Sequence, residues 1–349
     1  MTRPLQISRD AGRERGGERI GCGRSMKFCV VGYGGIAEFH REALLGIDVV
    51  EIGAVVGRRV EPTEAFAELC GAELATVDLA EALDRPEIDA MLITSPSQIH
   101  FGQAKAGLLA GKHVLLEIPM ALNLVEAEEL CDLADAQGRT LMICHTHRYR
   151  RFIRETKRRI ADGELTLLHF HCEWHFFRRS NVGWTGYERS WTDNLLWHHG
   201  GHVVDDAVWL FGREPERARA LLGPTENPLG IPMDLSAQMR FPGGGIATYA
   251  MSYNAHVPEA RMQITLICEE ETLTVDEDRI LDQGGGELYL DTIEPAIQKQ
   301  DEEFVNAVRE GREALTSGRA LLASMRTLQR LEASAGEGSL WGRDRIFRR

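Results

Sequence analysis

Lys27-Phe28-Cys29-Val30-Val31 runs without interruption into Gly32-Tyr33-Gly34-Gly35-Ile36-Ala37. The first stretch is continuous in apolar residues after its lysine, as a strand covered on both faces should be. The second is a G-x-G-x-x-A turn that opens a helix. Gly32 permits the tight turn, and Gly34 lets a pyrophosphate approach the backbone beside Gly35 and Ile36. Ala37 keeps the helix close to the strand, whose turn ends at a helix N-terminus of positive potential. Glycine-rich turns are common on their own. Directly after a first strand, this one predicts a dinucleotide site.

The surrounding chain supports that placement. Residues 49–56, 90–94, 113–117 and 141–145 read as further buried strands, rich in Val, Ile, Leu and Met. Amphipathic stretches separate them. The clearest is 125–137, where Ala127, Leu130, Cys131 and Ala134 recur at helical spacing before Gly138 stops the helix. Strand–helix alternation implies a parallel sheet with crossover helices. After Tyr149 the rhythm changes. A helix at 152–162 and a strand at 166–176 precede an irregular stretch rich in Arg and Trp. A helix follows at 195–211, then strands at 217–222, 235–241, 246–254 and 261–268. Gly243-Gly244-Gly245 reads as a hairpin turn. Helices return at 298–309 and 321–333. The expected fold class is therefore α/β. A Rossmann-type doubly wound parallel sheet, residues 26–146, precedes an α+β domain with an open, mostly antiparallel sheet, residues 147–335. Its C-terminal helices are free to pack back on the first domain.

Composition narrows the function. The chain has 349 residues, 43% hydrophobic and 27% charged, as in an ordinary globular protein of about two domains. Forty basic against 53 acidic residues leave a formal charge of −13, which disfavours nucleic acid as a partner. No apolar run approaches the ~20 residues needed to cross a bilayer. The seven cysteines are scattered with no C-x-x-C pair, which predicts reduced thiols and a cytoplasmic location. Residues 1–25 carry six Arg against three acids and read as a disordered extension, or as a start placed too early with Met26 the true first residue.

The second strand selects the dinucleotide. An NAD site usually has Asp or Glu about 20 residues past the glycines, bonding the ribose 2′-hydroxyl. Here that strand ends in Gly57-Arg58-Arg59. Two guanidinium groups and no carboxylate favour a 2′-phosphate, hence NADP, with NAD weaker. Thr94, His100 and Glu117, at or beyond later strand ends, complete the expected cofactor site.

With Gly32–Ala37, Glu117-Ile118-Pro119 and a mixed second half, the chain resembles the Gfo/Idh/MocA oxidoreductases from residue 26 to about 335. The resemblance implies an enzyme, an NAD(P)-dependent oxidoreductase acting on a CH–OH group. Most of that family has a lysine, assisting proton transfer, where Ile118 stands. It also tends to carry an Asp four residues before a His, and another Asp three after. Here those positions read His198, His202 and Asp205. One branch shares these departures. Phe176-Phe177-Arg178-Arg179-Ser180-Asn181, Arg189-Ser190-Trp191-Thr192-Asp193 and Leu195-Leu196-Trp197-His198-His199 resemble the 4-carboxy-2-hydroxymuconate-6-semialdehyde dehydrogenases. So do Glu117-Ile118-Pro119 and His145-Thr146. The resemblance implies oxidation of a cyclic hemiacetal to 2-pyrone-4,6-dicarboxylate with NADP, in aromatic-compound catabolism.

The residue types suit that chemistry. A dicarboxylate needs local cations in a protein of net negative charge, and a guanidinium grips a carboxylate with two parallel hydrogen bonds. Arg148, Arg178, Arg179 and Arg189 are the candidates, with Asn181, Trp191, Asp193 and His199 expected to line the substrate. Hydride removal needs a base for the hydroxyl, and a neutral histidine suits that task. His202 is the expected base, with His198 one helical turn away and Asp205 to orient it or hold its charge. Histidines at this spacing also bind zinc, but no metal is expected, because a hydride-accepting cofactor leaves it little to do. Two other readings stay open: a sugar or other aldehyde-level dehydrogenase of the same fold, and a non-catalytic NADP(H) sensor, which loss of the lysine at Ile118 would favour. An open sheet face predicts a homodimer or homotetramer.

Overall fold

The structure is a computed structural model and describes residues 24–182, 195–257 and 260–337. Its first half is a six-stranded parallel sheet of β1 (Met26–Val31), β2 (Val50–Val56), β3 (Leu74–Thr76), β4 (Ala90–Ile93), β5 (His113–Leu116) and β6 (Leu141–Ile143). The strand order is β3-β2-β1-β4-β5-β6, so the direction of winding reverses between β1 and β4, where a doubly wound sheet binds its ligand. The crossover helices are α1 (Gly35–Leu45), α2 (Val60–Cys70), α3 (Leu79–Leu83), α4 (His100–Leu109) and α5 (Leu124–Gln137). Every residue of β4, β5 and β6 is buried, which is why these strands read as unbroken apolar runs. Burying a Leu or Ile side chain stabilises by about 1.5–3 kcal/mol. β3 has only three residues, all half-buried at the sheet edge, too few for a periodic signal in the sequence.

The second half begins with α6 (Arg151–Ala161), β7 (Leu167–His175) and α7 (His199–Phe211). The helix predicted at 195–211 thus starts four residues late, because Leu195–His198 form turns. Then follow β8 (Arg217–Leu222), β9 (Asp234–Arg240), β10 (Ile246–Ser252), β11 (Arg261–Cys268), β12 (Thr272–Asp276), β13 (Arg279–Leu281) and β14 (Glu287–Leu290). Their order is β14-β13-β12-β11-β7-β10-β9-β8. β7 and β10 run parallel, while the other neighbouring pairs are antiparallel. Strict in–out alternation along β9, β10 and most of β11 leaves one face buried and the other polar or mixed.

Two last helices return to the parallel sheet. α8 (Glu294–Glu310) packs on α1, with Phe304 5.7 Å from Phe28 in ring-to-ring contact. α9 (Gly318–Glu337) lies against α5, α7 and β8. Just before it, the Ile143 N–H donates to Thr316 O (2.9 Å), and Ser317 bridges Met142, covering the outer edge of β6. Among the described residues no helix is long and apolar enough to cross a membrane.

Candidate active site

The glycine loop sits where β1, β2 and β4 converge. The Gly32 N–H donates to Val56 O (2.9 Å), while Thr94 N–H and Oγ1 donate to Val31 O (2.9 and 3.1 Å). Gly32 has φ +114°, and a Cβ there would lie 2.6 Å from Thr94 Oγ1. Only glycine fits this turn. Gly34, the cap of α1, supplies no side chain to the helix's first N–H groups, and a Cβ on it would meet nothing within 4 Å. Open amides at a helix start with free space before them fit a pyrophosphate. Ala37 is fully buried against the sheet. Arg58 and Arg59 are exposed just past the tip of β2, and Tyr33 packs over the intervening Gly57.

At the end of β5, Glu117 is not an isolated wall residue. His40 of α1 donates through Nε2 to Glu117 Oε1 (2.9 Å) and through Nδ1 to Asp301 Oδ2 of α8 (2.8 Å). The Ile118 N–H donates to the other oxygen of Glu117 (3.0 Å) before a cis Ile118–Pro119 bond. Two carboxylate acceptors call for two N–H donors, so His40 is an imidazolium. Burial opposes that charge, but the Asp301 carboxylate outweighs it and holds His40 well above the ordinary histidine value. Burial likewise pushes Glu117 up, and its bond to His40 brings it back below the usual carboxylate range. Cys144 Sγ approaches the His40 and Glu117 donor atoms closely enough for a shared metal. With both His40 nitrogens on carboxylates, and burial raising the Cys144 thiol, these groups are better described as a hydrogen-bonded ion cluster. His100, expected against the cofactor, is buried and places Nδ1 2.9 Å from Pro119 O and Nε2 2.7 Å from Ser95 O. It props the loop after β5 instead.

A histidine cluster gathers between the end of β6 and α7. His202 stacks on His147, ring centroids 4.6 Å apart and 16° from parallel, and meets His145 edge-on at 5.5 Å. Burial, followed by the proximity of His147, His145, His198 and His199, holds His202 well below its ordinary value, so it is neutral. Burial also lowers His145, against the pull of Asp205. His198 caps α7 rather than standing on its face, and its ring meets His199 at 4.6 Å.

Two expectations need correction here. Asp205 does not orient His202. It receives a two-pronged grip from Arg148 (Nε to Oδ2 and Nη2 to Oδ1, both 2.7 Å) and a bond from Ser324 Oγ (2.6 Å). Arg148 is correspondingly buried, with its fork on Asp205, and is not free to grip a substrate carboxylate. Burial would raise Asp205, but the guanidinium beside it leaves the carboxyl below its usual range. The neighbouring Asp206, fully buried, accepts instead from His147 Nδ1 (2.8 Å).

His199 donates or accepts at Nδ1 with the Tyr253 hydroxyl (2.7 Å) and lies edge-on to Trp174 at 4.9 Å. Arg178 stacks over the Tyr253 ring at 5.3 Å and bonds Asn181 Oδ1 (3.1 Å), which brings both to the aromatic wall beside His199. Arg179 is exposed, turned towards Phe177 and the Tyr253 carbonyl. Arg189, Trp191 and Asp193 lie outside the described residues. Sequence reasoning left His145 and His147 out of the site and missed His40, Asp206 and Asp301. Asp206 was within reach, being one helical turn after His202. His40 and Asp301 carry no local signal.

A family model for oxidoreductases with an NAD-binding Rossmann fold, Gfo/Idh/MocA, matches residues 26–145, and one for bacterial oxidoreductase C-terminal regions matches 150–294. The chain is 35% identical over 310 residues to a 4-carboxy-2-hydroxymuconate-6-semialdehyde dehydrogenase of Sphingobium sp. (strain NBRC 103272 / SYK-6), covering 88% of this chain and 98% of that protein. Among solved structures, GenD2 of gentamicin A biosynthesis in complex with NAD has a TM-score of 0.77 at 22% identity, covering 90% of this chain and 95% of that one. The WlbA dehydrogenase of Bordetella pertussis, with NADH and UDP-GlcNAcA, has 0.77 at 21%, covering 90% and 97%. At such identities the two structures speak to the fold alone.

Proposed function

The chain belongs to the Gfo/Idh/MocA family of NAD(P)-binding oxidoreductases, and from that we propose that it is an NADP-dependent dehydrogenase of a cyclic hemiacetal dicarboxylate. The substrate is 4-carboxy-2-hydroxymuconate-6-semialdehyde in its ring-closed form, and the product is 2-pyrone-4,6-dicarboxylate. The observation that carries this reading is similarity to the Sphingobium dehydrogenase along nearly its whole length. The site is consistent with it. Ile118 is buried and cannot hold a proton, while the five clustered histidine rings supply groups that can act as a base.

The bound nicotinamide would accept hydride from the hemiacetal carbon. Gly32, Gly34, Gly35, Ile36 and Ala37 present the α1 N-terminus to its pyrophosphate, and Arg58 and Arg59 meet the 2′-phosphate. Thr94 fixes the loop, and Glu117, held by His40, closes the site beside the ring. Arg178, beside Asn181, together with Arg179 and Arg189, are the cations left for the substrate carboxylates once Arg148 is committed to Asp205. Trp191, Asp193 and His199 complete the substrate lining. The hydroxyl proton passes to a histidine of the cluster, with His202 and His198 against the substrate, so the hemiacetal C–O–H becomes a lactone carbonyl. We infer a cytoplasmic homodimer or homotetramer.

The test is direct. Purified protein is mixed with the ring-cleavage product of protocatechuate and either nicotinamide cofactor, with absorbance at 340 nm and the product's identity as readouts. Stoichiometric formation of the pyrone dicarboxylate, faster with NADP, is expected. Absence of reduction with this substrate, alongside reduction with a polyol or sugar, would overturn the assignment.

A further inference from the structure

Within the histidine cluster, His147 is held by a carboxylate in good hydrogen-bonding geometry. His147 lies in the short turn after β6, and its Nδ1 is 2.8 Å from Asp206 Oδ2. His145 is 3.4 Å from Asp205, whose oxygens already serve Arg148 and Ser324. His199 bonds a tyrosine hydroxyl. Among the described residues, His202 Nδ1 has no hydrogen-bond partner.

The two adjacent aspartates therefore differ in charge balance. Asp205 is offset by a guanidinium. Asp206 is equally buried and, among the described residues, its Oδ1 has no partner and its Oδ2 faces only His147. A buried carboxylate whose partner is a neutral imidazole is best satisfied when that imidazole takes a second proton. Among the described residues, the titratable groups packed around His147 are Asp206 and His202 from α7 and His145 from its own turn, with uncharged Trp174 facing it from β7 at 6.5 Å. His202, packed flat against the same ring, is kept neutral by burial and by its neighbours.

We propose that the His147–Asp206 pair, not His202, is where the substrate's hydroxyl proton comes to rest. This rests on the dehydrogenase reading above. As the C–H electron pair leaves as hydride to the nicotinamide, the O–H proton moves to Nε2 of His147 and the carbonyl forms. Asp206 holds the resulting imidazolium through Nδ1–H. His202 remains a neutral ring that supports His147 by stacking and hydrogen-bonds the reacting oxygen.

Asp206→Asn tests this with little change of shape. Its turnover with the semialdehyde should fall by about 10²-fold or more, the usual scale of general-base catalysis. The acidic limb of its pH–rate profile should move to lower pH, because the imidazolium loses its carboxylate. Affinity for NADP, measured by nucleotide fluorescence, should be unchanged, and His147→Gln should give a comparable loss. Retention of turnover within about threefold in Asp206→Asn, with an unmoved acidic limb, would overturn the proposal and leave the dehydrogenase reading intact. A second readout needs no substrate. In nitrogen-15 NMR of the ligand-free protein, the neutral His147 ring should carry its proton on Nδ1, in the hydrogen bond to Asp206, which leaves Nε2 open to receive one. If that tautomer is found while the wild type leaves the semialdehyde untouched, the substrate assignment fails and the proton-holding pair stands. If His147 carries its proton on Nε2, the pair is wrong whatever the substrate.

Discussion

Replacing His40 by Ala would remove the cation that sits between buried Asp301 and half-buried Glu117. In the wild type, Asp301 is fully buried, and apart from His40 its nearest donor is the Gln300 amide at 3.3 Å. Among the described residues, Glu117 keeps the Ile118 N–H as its remaining hydrogen-bond donor. Breaking a buried ion pair from one side typically costs about 3–5 kcal/mol, because the remaining charge is uncompensated. At roughly 2 °C per kcal/mol for a chain of this size, the melting temperature should fall by about 6–10 °C. The pH dependence has a definite sign. His40 is raised in the folded protein, so its stabilisation is complete below the unfolded histidine value of about 6.5 and is lost as pH rises through the higher folded value. Wild-type melting temperatures across pH 6–9 should therefore carry a downward contribution that His40→Ala lacks. Thermal unfolding of wild type, His40→Ala, Asp301→Asn and the double variant closes a thermodynamic cycle. If His40→Ala costs under about 1 kcal/mol, or the two single losses simply add, the buried cluster does not hold the cofactor helix to β5 and α8 as described.

Three further outcomes are expected. Replacing Arg58 and Arg59 together with Ala should raise the KM for NADP about tenfold more than that for NAD, since a charge-assisted phosphate contact contributes roughly 1.5–3 kcal/mol; equal effects in steady-state assays would contradict the assignment. Gly32→Ala should weaken binding of either nicotinamide in calorimetric titration, because a Cβ there meets Thr94 and φ is +114°. Asp205→Asn should destabilise by several kcal/mol at neutral pH in urea unfolding, through its buried grip on Arg148; because Asp205 is lowered in the fold, that advantage over the variant is present above the unfolded Asp value and is lost as pH falls through the folded one.

The parallel half was legible because its strands are buried on both faces and its first turn has a demanding backbone. β3, β12, β13 and β14 left no clear trace, being short and either partly exposed or mixed in polarity, whereas the equally short β6 showed through its wholly buried apolar run. In the site, His145, His147, His198 and His202 are visible as residue types, yet their partners are not. Arg148 reaches Asp205 across 57 positions and His147 reaches Asp206 across 59, and nothing local distinguishes that exchange from the alternative in which Asp205 serves His202. His40 and Asp301 are 261 positions apart, so only the packing of α8 on α1 joins them. The net negative charge called for local cations, and nothing in the composition showed that the fold would commit Arg148 to Asp205.

The return of α8 and α9 has a consequence for how the chain is made. Asp301, Phe304 and Thr316 complete the ion cluster, the core beside Phe28 and the outer edge of β6. Synthesis proceeds from the other end. At about 5–20 residues per second, some ten to thirty seconds separate the emergence of β6 from that of the residues that cover it. During that interval the nascent glycine-loop half exposes a bare strand edge and a helix face awaiting α8. A ribosome stalled near residue 290 would display the unfinished nucleotide-binding half with both surfaces open.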